Sequence, residues 1–230
     1  MTDHEDHDQL PYDLEETMLQ VAGLVELLPD RRVRILDVGC GTGRIAGPLL
    51  RGVGPDRVDL VGMDLDPTVE ADFLAATGGD AIFTTGDLLD EASLPRGPFD
   101  LVLVLGNLLM TVREPGILRS SFSSIGARLR PGGCLVLDDF AEGGWSEIAS
   151  GRWADGVDDT GSVQMVWLPG DPEFVVRMGS DVDPGSLAPV EGERVLRLWS
   201  RRELDDAASM AELSGGMHDP GHLLSVHRRR

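Results

Sequence analysis

The sequence predicts a doubly wound α/β fold with a mostly parallel, Rossmann-like sheet. Short apolar runs alternate with helical patterns as far as residue 140, and glycine-rich turns follow several of these runs. Parallel strands need crossover connections, which helices commonly supply, so this alternation favours such a sheet. With 230 residues, 41% of them hydrophobic, the chain can bury one sizeable core.

The first strand and the loop after it organise this prediction. The apolar run Val33–Val38 leads into Gly39-x-Gly41-x-Gly43, where glycine occupies every second position. An apolar run of this kind indicates a parallel strand that is covered on both faces. The glycines indicate a tight turn where the backbone must approach a ligand closely.

The other elements follow from spacing and from start and stop signals. Helical spacing predicts helices over residues 12–28, 43–50, 67–76, 114–129 and 201–213, the last with Ser200 as N-cap. β-type runs predict four further core strands over residues 58–64, 81–85, 99–105 and 134–138, and a closing edge strand over 222–226. Turn signals separate three antiparallel strands over residues 163–168, 174–178 and 194–199.

Composition argues against several functional classes. The net charge of −20 disfavours nucleic acid as a partner, because the only run of basic residues in the sequence is 228–230. All 20 basic residues are arginine, which removes the lysine of a P-loop. No apolar run approaches the ~20 residues of a membrane span. We expect two free thiols and a cytoplasmic protein with no membrane partner.

Three aspartates stand at corresponding places in the pattern. Asp37 and Asp64 end the first and second strands, and Asp87 follows the third. Because open α/β sheets bind ligands at the carboxyl ends of their strands, these acids should line one crevice. An acid just before the glycines suits a pyrophosphate poorly, and Arg44 stands where the dinucleotide fingerprint has its third glycine. A ligand with a cationic amine and a ribose diol fits these groups better.

Five segments, in order, resemble the class I S-adenosylmethionine-dependent methyltransferases. They are residues 36–43, 61–67, 86–88, 99–102 and 129–133. The resemblance covers roughly residues 35–137. It implies S-adenosylmethionine as cofactor, S-adenosylhomocysteine as its product, and transfer of a methyl group.

The resemblance also implies a role for each cofactor-site residue. Asp37 would lie near the ammonium of the methionine portion, Asp64 would take the ribose hydroxyls, and Asp87 would accept from the adenine amino group. Backbone and apolar contacts to the same cofactor are expected from Gly39, Cys40, Gly41, Gly43, Met63, Leu65, Gly86, Leu88 and Gly106.

The catalytic candidates lie on the acceptor side. The Gly-Asn pair ending in Asn107 resembles small-molecule N-methyltransferases, so Asn107 should hold the substrate or close the methionine end of the donor. Tyr12 stands where related enzymes place an aromatic side chain over the donor. Asp138 and its neighbour Asp139 are candidate ligands for a cationic amine, or candidate bases. Neither shows metal-ligand spacing, so no metal is expected.

These inferences divide the chain into four regions. Residues 1–11 are predicted to be a disordered acidic tail, because charge is dense and apolar residues are scarce. Residues 12–140 form the cofactor-binding core, and residues 141–199 form a cap that lines the acceptor pocket, with Trp145 as a candidate wall. Residues 200–230 add a helix and an edge strand that complete the core.

One departure from the family pattern lies near the end of the chain. Related enzymes carry a sixth strand before the closing one, but only residues 214–221 are available for it here. Either that strand is very short or the sheet edge is remodelled.

We therefore predict a methyltransferase for a small molecule or short peptide, with amine nitrogen slightly preferred over hydroxyl oxygen. The acidic charge, modest size and cap favour bacterial specialised metabolism. The alternatives are a protein with the same donor site and other chemistry, such as a cyclase, a non-catalytic sensor of the nucleoside, and lastly a nicotinamide oxidoreductase. A homodimer is left open.

Overall fold

The computed structural model of this chain describes residues 12–140, 156–157, 160–168 and 172–230. Within these ranges it has a seven-stranded sheet with helices on both faces and a separate three-stranded antiparallel sheet. The predicted tail over residues 1–11 and the candidate pocket wall Trp145 lie outside the described residues.

The strands of the main sheet follow the predicted doubly wound order. The strands are β1 (Val33–Val38), β2 (Val58–Asp64), β3 (Ala81–Thr85), β4 (Phe99–Val104), β5 (Leu129–Asp138), β6 (Val163–Trp167), β7 (Glu173–Met178), β8 (Val195–Arg197), β9 (Met217–Asp219) and β10 (Leu224–Arg228). The main sheet has the order β3-β2-β1-β4-β5-β10-β9, and β6, β7 and β8 form the second sheet. β1 to β5 are parallel, and β10 is antiparallel to both of its neighbours. This arrangement confirms the predicted fold class.

The helices begin near the predicted positions. They are α1 (Leu14–Leu27), α2 (Ala46–Val53), α3 (Glu70–Ala76), α4 (Pro115–Arg128) and α5 (Arg201–Met210). Ser200 caps α5 as predicted, because its side chain accepts from the Glu203 N–H while the Glu203 carboxylate accepts from the Ser200 N–H. Asp13 and Glu16 make the same reciprocal pair at α1. None of the described helices is long and apolar enough to cross a membrane.

The core consists of two layers, one on each face of the main sheet. Successive residues of β1 point to opposite faces, so Ile35 packs with α1, α2 and α3 while Leu36 packs with α4 and α5. Phe73 on α3 and Phe122 on α4 are fully buried in the two layers. Burying a side chain of this size contributes about 1.5–3 kcal/mol. The two layers hold the strand ends, and therefore the loops that follow them, in fixed positions.

The prediction that the closing strand forms the sheet edge is wrong. β10 pairs with β5 on one side and with β9 on the other, so β9 is the edge. β9 is the very short sixth strand for which the sequence leaves only residues 214–221. It has three residues, between Gly216 and Pro220. A strand of this length is too short to show alternation in the sequence, so only its pairing with β10 reveals it.

β5 also begins earlier than predicted. It starts at Leu129 and includes the Pro-Gly-Gly segment that the sequence assigns to a turn. The register with β4 shifts between Phe99 and Leu101, which indicates a bulge at this point. The glycines therefore mark an irregularity inside the strand pairing as well as the end of α4.

The antiparallel sheet is anchored to the loop that follows β4. The indole N–H of Trp199, just beyond β8, lies 3.0 Å from the carbonyl oxygen of Leu109 and 2.9 Å from that of Val112. Arg113 and Glu173 form a bidentate pair between this loop and β7, with N–O distances of 2.9 and 2.7 Å. The cap is thus attached at the carboxyl end of the main sheet, beside the predicted site.

Candidate functional site

A cleft of about 610 Å³ opens at the carboxyl ends of the central strands. It lies beside the junction of β1 and β4, where the strand order reverses and ligands of such sheets bind. The cap also contributes, through Arg194 and Leu196. Of the predicted cofactor residues, the cleft is lined by Gly39, Gly41, Met63, Asp64, Leu65, Gly86, Asp87, Leu88 and Gly106.

Asp37 lies beside a second, smaller hollow of about 40 Å³. The side chain is buried, and no described residue donates to its Oδ2 atom. Burial, helped by the negative charges of Asp64 and Asp138, raises the pKa of Asp37 to about 7, although the Arg44 cation acts in the opposite direction. A buried carboxylate with a free oxygen fits an ammonium group, which would restore its charge balance. The predicted position of the methionine ammonium thus fits this structure.

The glycine loop supplies space more than hydrogen bonds. The N–H groups of Gly39 and Cys40 both donate to the carbonyl oxygen of Met63, at 2.7 and 3.1 Å. Gly39 has a φ of +69°, and a Cβ there would lie 2.6 Å from a methyl carbon of Leu108. Both amides are therefore already bonded to β2, so the contacts of Gly39 and Cys40 with the cofactor stay a prediction for their other atoms. The glycines let the backbone of the loop come close to a bound ligand, because no side chain stands between them.

Cys40 does not face the large cleft. Its thiol is buried, and a Cβ added at Gly62 on β2 would lie only 2.9 Å from the sulfur. Burial also raises the pKa of the Cys40 thiol well above its usual value. The side chain is therefore an inert packing group, and Cys40 borders only the small hollow.

Asp64 ties the glycine loop to the end of β2. Its Oδ2 accepts from the Gly41 N–H at 2.8 Å, and its Oδ1 accepts from the Asp66 N–H at 3.0 Å. Each carboxylate oxygen has a second lone pair, so the half-buried group can still accept from a diol. The two backbone bonds fix its orientation at the rim of the cleft.

Asp87 closes a local turn and also lines the cleft. Its Oδ1 accepts from the Leu89 N–H at 2.8 Å, which closes a local Asx turn. The residue also lines the cleft, between Gly86 and Leu88. The turn leaves Oδ2 without a hydrogen bond among the described residues, so this oxygen can accept from an exocyclic amine.

The structure brings the three catalytic candidates together. The hydroxyl of Tyr12 lies 2.9 Å from Oδ1 of Asp138 and 3.1 Å from Oδ1 of Asn107. A tyrosine hydroxyl carries one proton, so it can donate to only one of them at a time. Asn107 has a φ of +59°, a left-handed conformation that asparagine tolerates better than most residues. These residues come from three distant parts of the sequence and meet beside the cleft, which Asn107 lines.

Asp138 is held by more donors than any other carboxylate of the site. Besides Tyr12, it accepts from the Gln20 side chain at 2.9 Å and from the backbone N–H groups of Gly106 and Asn107 at 3.2 and 2.8 Å. Burial still raises the pKa of Asp138 above its ordinary value. Oδ1 already accepts from three of these donors, whereas Oδ2 accepts from one, so the role of Asp138 as base or amine ligand stays a prediction. The geometry makes it a positioning residue for the loop after β4.

Sequence reasoning missed two members of this network. Arg44 donates to side-chain oxygens of Thr17 and Gln20, at 3.1 and 3.0 Å, and its guanidinium lies 4.2 Å from the centre of the Tyr12 ring. Gln20 is completely buried. A glutamine on the inward stripe of α1 is the signal that could have identified it, because buried polar groups require partners.

Asp139 does not serve the acceptor site. Its carboxylate makes a bidentate ion pair with Arg201 at the start of α5, at 3.1 and 2.8 Å, and His218 lies 3.2 Å away. The prediction that Asp139 acts as base or amine ligand is therefore wrong. The pair fastens α5 to the end of β5.

A small apolar pocket of about 40 Å³ adjoins the network on the side of α5 and the cap. Its polar members are Asn107 and Asp138, and its walls include Phe140 and Trp199. Asn107 also lines the large cleft, so the two cavities meet at this side chain.

The central part of the chain matches a family model described as a methyltransferase domain, over residues 35–133. The match covers β1 to β4, the glycine loop and the three strand-end aspartates. The family model and the fold agree with the resemblance to the class I S-adenosylmethionine-dependent methyltransferases that the sequence shows. The cofactor of the chain is S-adenosylmethionine, which agrees with the free oxygen of Asp37 and the position of Asp64.

Solved methyltransferase structures share the fold over nearly the whole chain. CalS10 of Micromonospora echinaspora, an amino pentose methyltransferase, superposes with a TM-score of 0.64 at 20% identity, covering 97% of this chain and 100% of that one. CcbJ of Streptomyces caelestis gives 0.66 at 18% identity, covering 97% and 100%. KedS8, a sugar N-methyltransferase of a Streptoalloteichus species, gives 0.63 at 21% identity, covering 100% and 97%. At these identities the likeness shows the fold.

A curated relative is named for the synthesis of a carboxylated form of S-adenosylmethionine. The carboxy-S-adenosyl-L-methionine synthase of Chromohalobacter salexigens is 27% identical over 129 residues. The match covers 52% of this chain and 46% of that protein, so the chain spans about half the length of this relative.

Removing the carboxylate of Asp64 is expected to weaken cofactor binding. Asp64→Ala should reduce the affinity for S-adenosylmethionine by about 1–3 kcal/mol, because the ribose hydroxyls lose an acceptor and the Gly41 N–H loses its partner. Isothermal titration calorimetry measures the change. Asp59→Ala is the matched control, since Asp59 lies on the same strand and pairs with Arg32 away from the cleft. An unchanged affinity in Asp64→Ala contradicts the assignment.

Proposed function

We propose that this chain transfers a methyl group from S-adenosylmethionine to an amine on a small molecule or short peptide. The observation that carries the proposal is the buried Asp37, whose Oδ2 accepts no hydrogen bond from the described residues. Asp37 lines the small hollow, and Gly39, Gly41 and Gly106 line both this hollow and the large cleft. The cofactor supplies a methyl group already activated on a sulfonium, and it leaves as S-adenosylhomocysteine. The protein then has to hold donor and acceptor in line, which is worth up to about 7–11 kcal/mol in favourable cases.

The groups that line the two cavities support nitrogen as the attacking atom. Oδ1 of Asp138 already accepts from three donors, and no histidine of the described ranges lines the cleft or the apolar pocket. His222 pairs with Asp219, and His227 is buried near the carbonyl of Ser214. A neutral amine attacks with its own lone pair, whereas a hydroxyl benefits from a base that removes its proton. These contacts favour an amine acceptor over an alcohol.

The apolar pocket supports an acceptor with a small hydrophobic part. Phe140 and Trp199 form its walls, and Asn107 at its mouth offers the amide that can orient a polar group. CalS10 and KedS8 are an amino pentose and a sugar N-methyltransferase. By analogy with them, we propose an amine-bearing natural-product intermediate, such as an aminodeoxysugar, in bacterial specialised metabolism.

A panel of paired acceptors tests the proposal. The protein is incubated with S-adenosylmethionine and amino sugars, each matched with the sugar that carries a hydroxyl in place of the amine. Mass spectrometry should show S-adenosylhomocysteine together with a singly methylated amine, and no methylated alcohol. Methylation of the hydroxyl partners at an equal or higher rate overturns the nitrogen assignment. Cofactor binding without any methylated product, also from a host metabolite extract, overturns the proposed activity.

The name of the curated relative points to a second reaction, carboxylation of the cofactor. The experiment must distinguish it from methyl transfer. A protein that moves a carboxyl group from a donor in the host extract to the methyl carbon of the cofactor, with a proton passing back to the donor, would yield an adenosyl product heavier than S-adenosylmethionine and still a sulfonium. A methyltransferase yields the lighter, neutral thioether. The same mass spectra distinguish the two outcomes, since each product retains the adenosyl group.

A further inference from the structure

Half of the arginines of this acidic chain gather at one end of the main sheet. They lie just before or at the starts of β1, β2, β4 and β5 and at the end of the antiparallel β10. This is the end opposite the cleft. We call these ten residues the basic edge: Arg31, Arg32, Arg34, Arg57, Arg96, Arg128, Arg130, Arg228, Arg229 and Arg230.

Contacts between these segments show that the basic edge is continuous. Arg31 and Arg130 both approach one oxygen of Asp100, at 2.5 and 3.0 Å. Arg34 donates to the carbonyl oxygen of Arg96 at 2.9 Å. At the other side, the guanidinium of Arg229 donates to the carbonyl of Leu129 at the start of β5. The sequence shows only its last three members as a run.

The basic edge carries an excess of positive charge. Ten of the 20 basic residues lie there, and fewer acidic residues of the described ranges lie among or beside them: Asp30, Asp56, Asp59, Asp80, Glu91, Asp100 and Glu212. Five of its arginines form no ion pair within the described residues: Arg34, Arg96, Arg228, Arg229 and Arg230. Bonds to carbonyl oxygens account for the orientation of several side chains, but a neutral acceptor does not cancel their charge.

We propose that the basic edge docks an acidic helical segment of a partner protein. Guanidinium groups match carboxylates in bidentate geometry, so a row of arginines suits a row of glutamates or aspartates. From β2 to β10 the edge spans four strand spacings, about 19 Å. A helix of about 13 residues covers that distance.

The distribution of charge favours an acidic protein over a nucleic acid. A duplex that continues past the edge meets a surface where acidic residues outnumber basic ones, because most of the acidic residues in the described part of the chain lie elsewhere. A short helix, in contrast, contacts the basic edge and does not extend over the acidic surface beyond it. Docking at this end also leaves the cleft open, so the partner can remain bound while the cofactor enters and leaves.

Binding of a defined acidic peptide tests this proposal. The probe is a fluorescein-labelled helical peptide of Glu and Ala, about 15 residues long. Fluorescence anisotropy at low salt should show binding that weakens as salt increases. Arg96→Glu/Arg228→Glu should reduce the affinity at least about tenfold, because two attractive contacts become repulsive. Arg119→Glu/Arg202→Glu is the matched control, since both side chains are exposed on α4 and α5 outside the edge and the change in net charge is identical.

The possible outcomes separate this proposal from its rivals. Retained peptide affinity in the control and loss in the edge variant support a docking surface. Equal losses in both variants indicate a response to net charge alone and overturn the proposal, as does no binding by the wild-type protein. A short DNA duplex or anionic vesicles that bind more tightly than the peptide, and through Arg96 and Arg228, overturn the choice of partner. Calorimetric titration with S-adenosylmethionine checks that each variant retains its fold.

Discussion

Replacing Asp37 by asparagine is expected to stabilise the cofactor-free protein and to impair cofactor binding. The substitution removes a buried charge, so the free energy of unfolding at pH 8 should rise by about 2–4 kcal/mol. It also removes the partner of the cofactor ammonium, which should weaken S-adenosylmethionine binding by about 2–3 kcal/mol, or roughly 30- to 150-fold. Urea unfolding and calorimetric titration measure the two effects.

The stability gain should depend on pH in a defined direction. Asp37 has a pKa of about 7 in the folded protein and an ordinary value of 3.8 when exposed. Between these values the folded state holds a proton that the unfolded state has lost, so the contribution of Asp37 to stability falls as pH rises from about 4 to 7. The difference between Asp37→Asn and the wild type should therefore grow over this range and level off above pH 7. Wild-type cofactor affinity should rise over the same range, as the carboxylate ionises.

Asp64→Asn provides the control for this behaviour. Asp64 is only half-buried and is bonded to two backbone N–H groups, so its replacement should weaken cofactor binding without stabilising the free protein. If Asp37→Asn destabilises the protein at pH 8, or leaves cofactor affinity unchanged, the role assigned to Asp37 is wrong.

The parts of the site that the sequence predicts are those encoded locally. Asp37 and Asp64 each follow an apolar run, and the carboxyl ends of parallel strands converge at one place in this fold. Their positions, Asp64 at the large cleft and Asp37 at the small hollow beside it, therefore follow from the order of elements. The N-cap of α5 is equally local, because Ser200 and Glu203 are separated by one helical turn.

The parts that the sequence does not predict depend on contacts between distant segments. Tyr12 and Asp138 are 126 positions apart, and nothing in either segment indicates that they bond. The hydrogen bonds that hold Asp138 in place come from α1 and from the loop after β4. Composition likewise gives the total charge, but only the convergence of five strand ends reveals that half of the arginines share one edge.

Truncating Asp138 should disrupt the active-site loop as well as the fold. Asp138→Ala leaves the donors of Tyr12, Gln20, Gly106 and Asn107 without their acceptor, so unfolding should require about 2–4 kcal/mol less free energy. The loop over residues 105–107 borders both the cleft and the small hollow at Asp37. Cofactor affinity and turnover should therefore fall together, and urea unfolding, calorimetry and a methyl-transfer assay measure the three quantities.

The adjacent Asp139→Ala variant separates loop positioning from general instability. Asp139 is also buried and loses a bidentate partner, Arg201, so its truncation should lower stability by a comparable amount. Because that ion pair holds α5 and not the loop after β4, cofactor affinity at a temperature where both variants are folded should remain near the wild-type value. Equal losses of cofactor affinity in the two variants would mean that Asp138 contributes to stability alone and does not position the loop after β4. Loss confined to Asp138→Ala means that the loop, and with it Asn107 between the two cavities, is held in place by this carboxylate.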